Sequence, residues 1–184
     1  MITCEPRMPA YAEALRQAIT PGCQVIDIGA GTGIFSLLAC QYGAGAVTAI
    51  EPDDAVVLLR ETAKANGCAE QINIFQGLST EHVPEHKADV IVSDLRGCMP
   101  LFEHHIATIC DARERLLAPG GTMIPMRDTL RIALVQNPES YKPCEEPWLR
   151  NDYGLDLSAG QRYASNTWSK VALQPEQLLS ASAE

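Results

Sequence analysis

The sequence predicts an α/β fold, a doubly wound and mostly parallel sheet followed by the start of a β-barrel-like second region. Three observations carry that expectation. Short apolar runs of strand length alternate with longer helical patterns, glycines and prolines mark the joins between them, and the composition changes character after residue 126. Strand-helix-strand repetition builds parallel sheets, because each crossover returns the chain to the same end of the sheet. The expected division is residues 1–126 as a ligand-binding α/β domain and residues 127–184 as a partial β-rich region on the substrate side.

The elements follow in order. Residues 24–28, 46–50, 72–76 and 90–93 are short and apolar enough for buried strands, and residues 34–42, 55–66 and 101–116 have helical patterns. Asp53 or Asp54 is placed to cap the second of these helices, and Gly67 to stop it after Asn66. Pro119-Gly120-Gly121 closes the third before the run 122–125. Beyond Arg127, residues 129–136 favour β structure, residues 137–147 are rich in proline and charge, and the remainder lacks helical periodicity. Residues 175–184 read as a short capped segment with a small-residue tail.

Bulk properties exclude several function classes. With 184 residues and 46% hydrophobic content, the chain can bury one ordinary globular core. A formal net charge of −9 leaves no broad basic surface for phosphate backbones, so nucleic acid is disfavoured and a basic protein or peptide is the easier partner. No apolar run reaches the roughly 18 residues of a membrane span. The seven cysteines are odd in number, scattered and without a C-x-x-C pair, and no signal peptide precedes them, which points to reduced thiols and a cytoplasmic location. Cys40 and Cys110 fall in helical stretches and read as small core residues, whereas Cys98 falls in a loop beside the expected site.

The richest signal is Val25-Ile26-Asp27-Ile28-Gly29-Ala30-Gly31-Thr32-Gly33, followed by Ala49-Ile50-Glu51 at the end of the next strand. Glycines after a buried strand allow a tight turn and close approach of backbone to a ligand. A dinucleotide turn spaces its glycines G-x-G-x-x-G, but here Ile34 stands where the third would be, and no Gly-Lys-Ser/Thr follows to make a P-loop. Asp27 at the carboxyl end of the strand would repel a pyrophosphate and attract a sulfonium or ammonium group, while Glu51 can accept hydrogen bonds from both ribose hydroxyls. A nucleoside bearing positive charge describes S-adenosyl-L-methionine. The bland alternative is a merely tight strand-to-helix turn.

Together with Asp89-Val90-Ile91-Val92-Ser93-Asp94, Arg96-Gly97, Glu103 and Leu117-Ala118-Pro119-Gly120-Gly121, these residues resemble the protein arginine methyltransferases, a family of class I S-adenosylmethionine enzymes with a Rossmann-like domain. Glu5-Pro6-Arg7 with Tyr11 looks like the family's segment before the first strand. Tyr153-Gly154-Leu155-Asp156-Leu157-Ser158 and Pro175-Glu176-Gln177-Leu178 look like its entry into a β-barrel. The family's N-terminal helix, most of its barrel and its Thr-His-Trp loop have no counterpart in these residues, Thr167-Trp168 having no histidine between its members, so a short protein or a fragment is expected.

The resemblance implies that Arg7 pairs with the cofactor's methionine carboxylate, Met1 packs near the sulfonium, and Gly29, Ala30 and Gly31 make room for the methionine part. It implies that Glu51 with Pro52 holds the ribose side and that Ser79 and Thr80 line adenine, Thr80 standing where the family usually has Glu. Homodimers are expected of a full-length form, through the family's arm.

Asp94 and Glu103 occupy the positions of two family glutamates that hold a substrate guanidinium. Carboxylates there fix a guanidinium by paired, charge-assisted hydrogen bonds and keep lone-pair density on the attacking nitrogen. Aspartate is about 1.5 Å shorter in reach, one carbon–carbon bond. Arg96 and His105 each replace a family methionine, which opens two readings. In one, Arg96 pairs with Asp94 and recognises a carboxylate or other anion on a small-molecule acceptor. In the other, Arg96 points to solvent and arginine methylation is retained. A cofactor-binding protein that has lost catalysis is the non-enzymatic rival. An amino methyltransferase of the Asn/Asp-Pro-Pro-Tyr type is excluded by Ser93-Asp94-Leu95-Arg96. No metal is expected, since adjacent His104 and His105 point apart on a helix and no ligand set completes them, and His82 and His86 read as solvated.

Overall fold

The computed structural model describes residues 4–97, 99, 101, 104–167 and 169–181; Met1, Cys98 and Glu103 lie outside them. The chain divides into two compact units, residues 1–128 and 129–184. In the first, helix α1 (Arg7–Ala18) precedes β1 (Gln24–Ile28), α2 (Ile34–Gln41), β2 (Ala46–Glu51), α3 (Ala55–Ala65), β3 (Ile72–Gln76), β4 (Ala88–Ser93), α4 (His105–Asp111), a π turn (Ala112–Leu116) and β5 (Leu117–Ile124).

The five strands form one sheet in the order β3-β2-β1-β4-β5, every pair parallel. Alternation along each strand explains its two faces. Val25, Val47, Ala49, Val90 and Val92 pack with Tyr11, Leu15, Phe35 and Leu59 of α1 to α3, while Ile26, Ile28, Ile50 and Ile91 pack with Ala112 and Leu116 on the other side. Strand order reverses direction at β1, and Ile28 stands level with Ile50 on β2 and Ser93 on β4. A parallel sheet binds ligands in the crevice at such a switch point, outside the carboxyl ends of the strands, so Gly29, Glu51 and Asp94 share one rim.

The strand and helix expectations for this unit hold to within two residues at most ends. Two details differ. Neither Asp53 nor Asp54 caps α3 with a side-chain hydrogen bond; Asp53 instead gives its N–H to Glu51. The helix expected over residues 101–116 is α4 closed by the π turn, and α1 had no local signal beyond the family resemblance.

The second unit overturns the β-rich expectation. Its described residues form α5 (Pro138–Leu149), α6 (Ser158–Ser165) and a 3-10 turn (Pro175–Gln177), with isolated bridge residues at Ile132, Val135 and Leu178, the last two paired with each other. The run 129–136 has β-forming residues, yet among the described residues its pairing goes no further than isolated bridges, with Gln136 N–H on the Gln177 carbonyl and Leu179 N–H on the Leu134 carbonyl at 2.8 Å each, which is too little to build a sheet. Pro138 occupies the first turn of α5, where a missing N–H costs nothing. The Trp148 ring lies against Gly160, where a Cβ would collide with it, and this contact fastens α5 to α6. Among the described residues no helix is long and apolar enough to cross a membrane.

Candidate active site

The turn after β1 is built from its own backbone. The N–H groups of Gly29 and Ala30 both donate to the Ile50 carbonyl, at 2.8 and 3.0 Å, Gly31 N–H donates to Glu51 Oε2 at 2.7 Å, and Gly33 N–H donates to the Ala30 carbonyl at 2.8 Å. Four amides that a phosphate-binding turn would aim at an anion are therefore spent inside the protein. Gly29 has φ +73°, and a Cβ on it would run into the Leu95 side chain. Glu51 is 7% exposed and receives Gly31 N–H on one carboxylate oxygen and Asp53 N–H on the other, at 2.9 Å. Each oxygen keeps a lone pair, so the carboxylate is pre-aimed to accept two hydroxyls.

Asp27 is a correction. It is fully buried, and its Oδ2 accepts the backbone N–H and the hydroxyl of Ser36, at 3.0 and 2.8 Å. It shares the sheet face of Val25, under α2, because its neighbours Ile26 and Ile28 occupy the opposite face. It fastens the first turn of α2 instead of facing a cofactor from the rim. Burial pushes its carboxyl up to about 7, against the two Ser36 hydrogen bonds.

A cavity of about 540 Å³ opens beside Glu51, lined by Gly29, Pro52, Ser79, Thr80, Leu95 and His105 among others. That is room for a nucleoside. Another, of about 550 Å³, lies between α1 and β5 and has no ionisable side chain but Tyr11, so it offers no chemistry.

At the end of β4 the site is made of side chains. Asp94, with its side chain 7% exposed, accepts Arg7 Nη1 on Oδ2 at 2.8 Å. Its Oδ1 lies 3.6 Å from Arg96 Nη1 and 3.5 Å from the Tyr11 hydroxyl. Tyr11 is held by stacking on Phe35, with ring centroids 4.6 Å apart, and its hydroxyl donates to the Ser93 carbonyl at 2.9 Å and accepts Arg96 Nη1 at 2.7 Å. Arg96 Nε pairs with Asp128 Oδ1. The Arg96 side chain is 19% exposed, so it does not point to solvent; its charge is spent on Asp128 and Asp94. His105 is buried, with Nε2 4.0 Å from Asp128 Oδ2 and Nδ1 without a partner. Burial and then the Arg96 charge hold His105 below its ordinary value, with Asp128 opposing.

Sequence reasoning missed Tyr11 as the hub and Asp128 as the partner of Arg96. Nothing local signals either, since 85 and 32 residues separate them from Arg96. Among the described residues no three His, Cys, Asp or Glu side chains converge as metal ligands.

A family model described as ribosomal protein L11 methyltransferase (PrmA) matches residues 11–125, nearly all of the first unit. A probable protein arginine N-methyltransferase 6 of Arabidopsis thaliana is 36% identical over 166 residues, covering 89% of this chain and 38% of the relative. The chain belongs to the S-adenosylmethionine-dependent methyltransferases, in a form similar to the protein arginine methyltransferases. Protein arginine N-methyltransferase 1 of Dictyostelium discoideum is 29% identical over 182 residues, covering 97% of this chain and 53% of its own. Among solved structures, the Trypanosoma brucei PRMT1 enzyme-prozyme heterotetrameric complex with AdoHcy superposes with a TM-score of 0.91 at 26% identity, covering 99% of this chain and 58% of that one. The chain thus spans about two fifths to three fifths of the length of these relatives. The L11 family model ends at residue 125, within the first unit, so it bears on that unit and not on residues 129–184.

Proposed function

We propose that the protein transfers a methyl group from S-adenosyl-L-methionine to the guanidinium nitrogen of an arginine in a protein or peptide, acting in the cytoplasm. The observation that carries this reading is the position of Asp94: a carboxylate already bound to one guanidinium, on the same rim as a nucleoside-sized cavity and a ribose-competent Glu51. Glu51 would hold the ribose and Ser79 with Thr80 the adenine. Arg7 has Nη1 on Asp94 and Nε toward Cys4 Sγ at 3.3 Å, which leaves Nη2 to take the methionine carboxylate.

Asp94 Oδ1 has only long contacts, at 3.5 and 3.6 Å, and so retains capacity for an incoming guanidinium, with Glu103 as its partner carboxylate. When bound, S-adenosylmethionine would supply its methyl group to the acceptor nitrogen, which Asp94 with Glu103 would hold; the electrons of the broken carbon–sulfur bond would go to sulfur and the nitrogen's proton to solvent. S-adenosylhomocysteine remains. The residues chiefly position the two reactants in line. An anion-seeking Arg96 is disfavoured, because an anion would have to approach a guanidinium already flanked by two carboxylates. A homodimer of the full-length protein is part of this reading. Tyr141, Trp148 and Tyr163 of the second unit are exposed and offer apolar surface to a second copy.

The test is methyl transfer from labelled S-adenosylmethionine to an arginine- and glycine-rich peptide by the full-length protein. Label recovered in arginine is expected. Saturable S-adenosylhomocysteine binding without any transfer to arginine would defeat the acceptor assignment.

A further inference from the structure

The wall of the nucleoside cavity is tied from outside by a residue that does not line it. Gly77, Leu78, Ser79 and Thr80 form one wall, in the loop after β3; His104, Ala107 and Thr108 at the start of α4 form another. Arg115 joins the two. Its Nη2 donates to the Ser79 carbonyl at 2.6 Å, and its Nη1 donates to the His82 carbonyl. From the same guanidinium, Nε and Nη2 reach Asp111 Oδ1 and Oδ2 at 3.0 and 2.9 Å, a two-point pairing with the last residue of α4. Such a fork fixes direction as well as charge.

The local structure explains how Arg115 is aimed. Helix α4 ends in a π turn, Ala112–Leu116, whose Ala112 and Leu116 are fully buried against the sheet. That anchors the turn's rotation and turns Arg115 toward the loop; single π turns of this kind recur at functional sites. The loop itself is closed by Glu81, which accepts Leu78 N–H at 3.1 Å, and by His82 N–H on the Ser79 carbonyl at 3.3 Å. Ser79 is 4% exposed, so its carbonyl has little access to water as a substitute partner.

We propose that Arg115, oriented by Asp111, is a positioning residue that sets the gap between the loop after β3 and α4, and thereby the affinity for the purine part of the cofactor. The proposal rests on the cavity being the nucleoside site. Because the purine is remote from the methyl group, loosening the gap weakens ground state and transition state alike: KM for the cofactor rises while kcat holds.

The experiment compares Arg115→Met, Arg115→Lys and Asp111→Asn with the wild type in the full-length protein. S-adenosylhomocysteine and free adenosine are titrated, and KM and kcat are measured for the cofactor. Arg115→Met is expected to weaken both ligands by the same factor, about tenfold, with kcat within about twofold; lysine, one compact donor in place of a fork, recovers part of the loss. Dissociation constants unchanged in Arg115→Met, or a loss confined to kcat, would overturn the proposal. If Arg115→Met does not fold, Asp111→Asn reads the same quantity, with about threefold weakening expected and no change overturning it. Wild-type protein that binds neither ligand defeats the nucleoside site itself and the proposal with it.

Discussion

The two halves of the site are made of different material. Around the β1 turn and Glu51, the geometry is held by backbone: the Gly29, Ala30 and Gly31 amides are spent in place, and both Glu51 oxygens are seated on N–H groups. Around Asp94 it is held by long side chains, with Arg7, Arg96, Tyr11 and Asp128 each supporting the next. A site made of backbone keeps its shape through most side-chain changes, and its chemistry is fixed by the fold. A site made of ion pairs is retuned by a single substitution. On the proposed function, the cofactor half is therefore set by the fold, and the acceptor half by the side chains around Asp94.

Glu51→Gln tests the first half hardest. Each Glu51 oxygen faces an N–H, so whichever way the amide turns, its NH₂ meets a donor. Loss of a charged acceptor in place is expected to weaken S-adenosylhomocysteine about 100-fold, roughly 3 kcal/mol, by calorimetric titration. Transfer to arginine peptides at saturating cofactor should fall far less. If both fall together, the halves are not separable.

Arg96→Met sharpens the contrast from the other side. Removing the cation 3.6 Å from Asp94 frees both Asp94 and Asp128 and removes repulsion toward a cationic acceptor. The rate on an arginine peptide is expected to rise about tenfold, with cofactor affinity changed less than about threefold, since the acceptor half alone is touched. A fall in rate would show that Arg96 holds Asp94 in its productive position.

Asp27→Asn is read in stability instead of binding or rate. Burial raises the Asp27 carboxyl from 3.8 to about 7, so the folded state prefers it protonated. Its favourable share is complete below pH 3.8 and is lost as the pH rises to about 7. Asparagine does not titrate, so the stability of Asp27→Asn relative to wild type should increase between pH 5 and pH 8 in denaturant unfolding. A constant difference would mean that Asp27 stays ionised throughout.

How much of this was legible follows the same division. The β1 run, the early third glycine and Glu51 lie within a span of residues 25–51, and each acts through its local backbone, so pattern and chemistry were readable together. Asp27 misled because residue type was read without its sheet face: alternation puts it with Val25 beneath α2, away from the rim. Asp94 and Arg96 were readable as charges, but their partners Arg7, Tyr11 and Asp128 come from either end of the first unit, and only the fold brings them together. In the second unit, Pro143 and Pro147 sit inside α5, where local rules forbid a helix, so the β reading prevailed over the packing of Trp148 on Gly160.

Calorimetric titration of S-adenosylhomocysteine into the full-length protein, with NAD in parallel, probes the cofactor site most directly. One-to-one saturation in the micromolar range, about −8 kcal/mol, is expected for the nucleoside thioether, with no saturable heat from the dinucleotide, because the Gly29, Ala30, Gly31 and Gly33 amides are already bonded within the protein. Saturable binding of NAD, or none of S-adenosylhomocysteine, would contradict it.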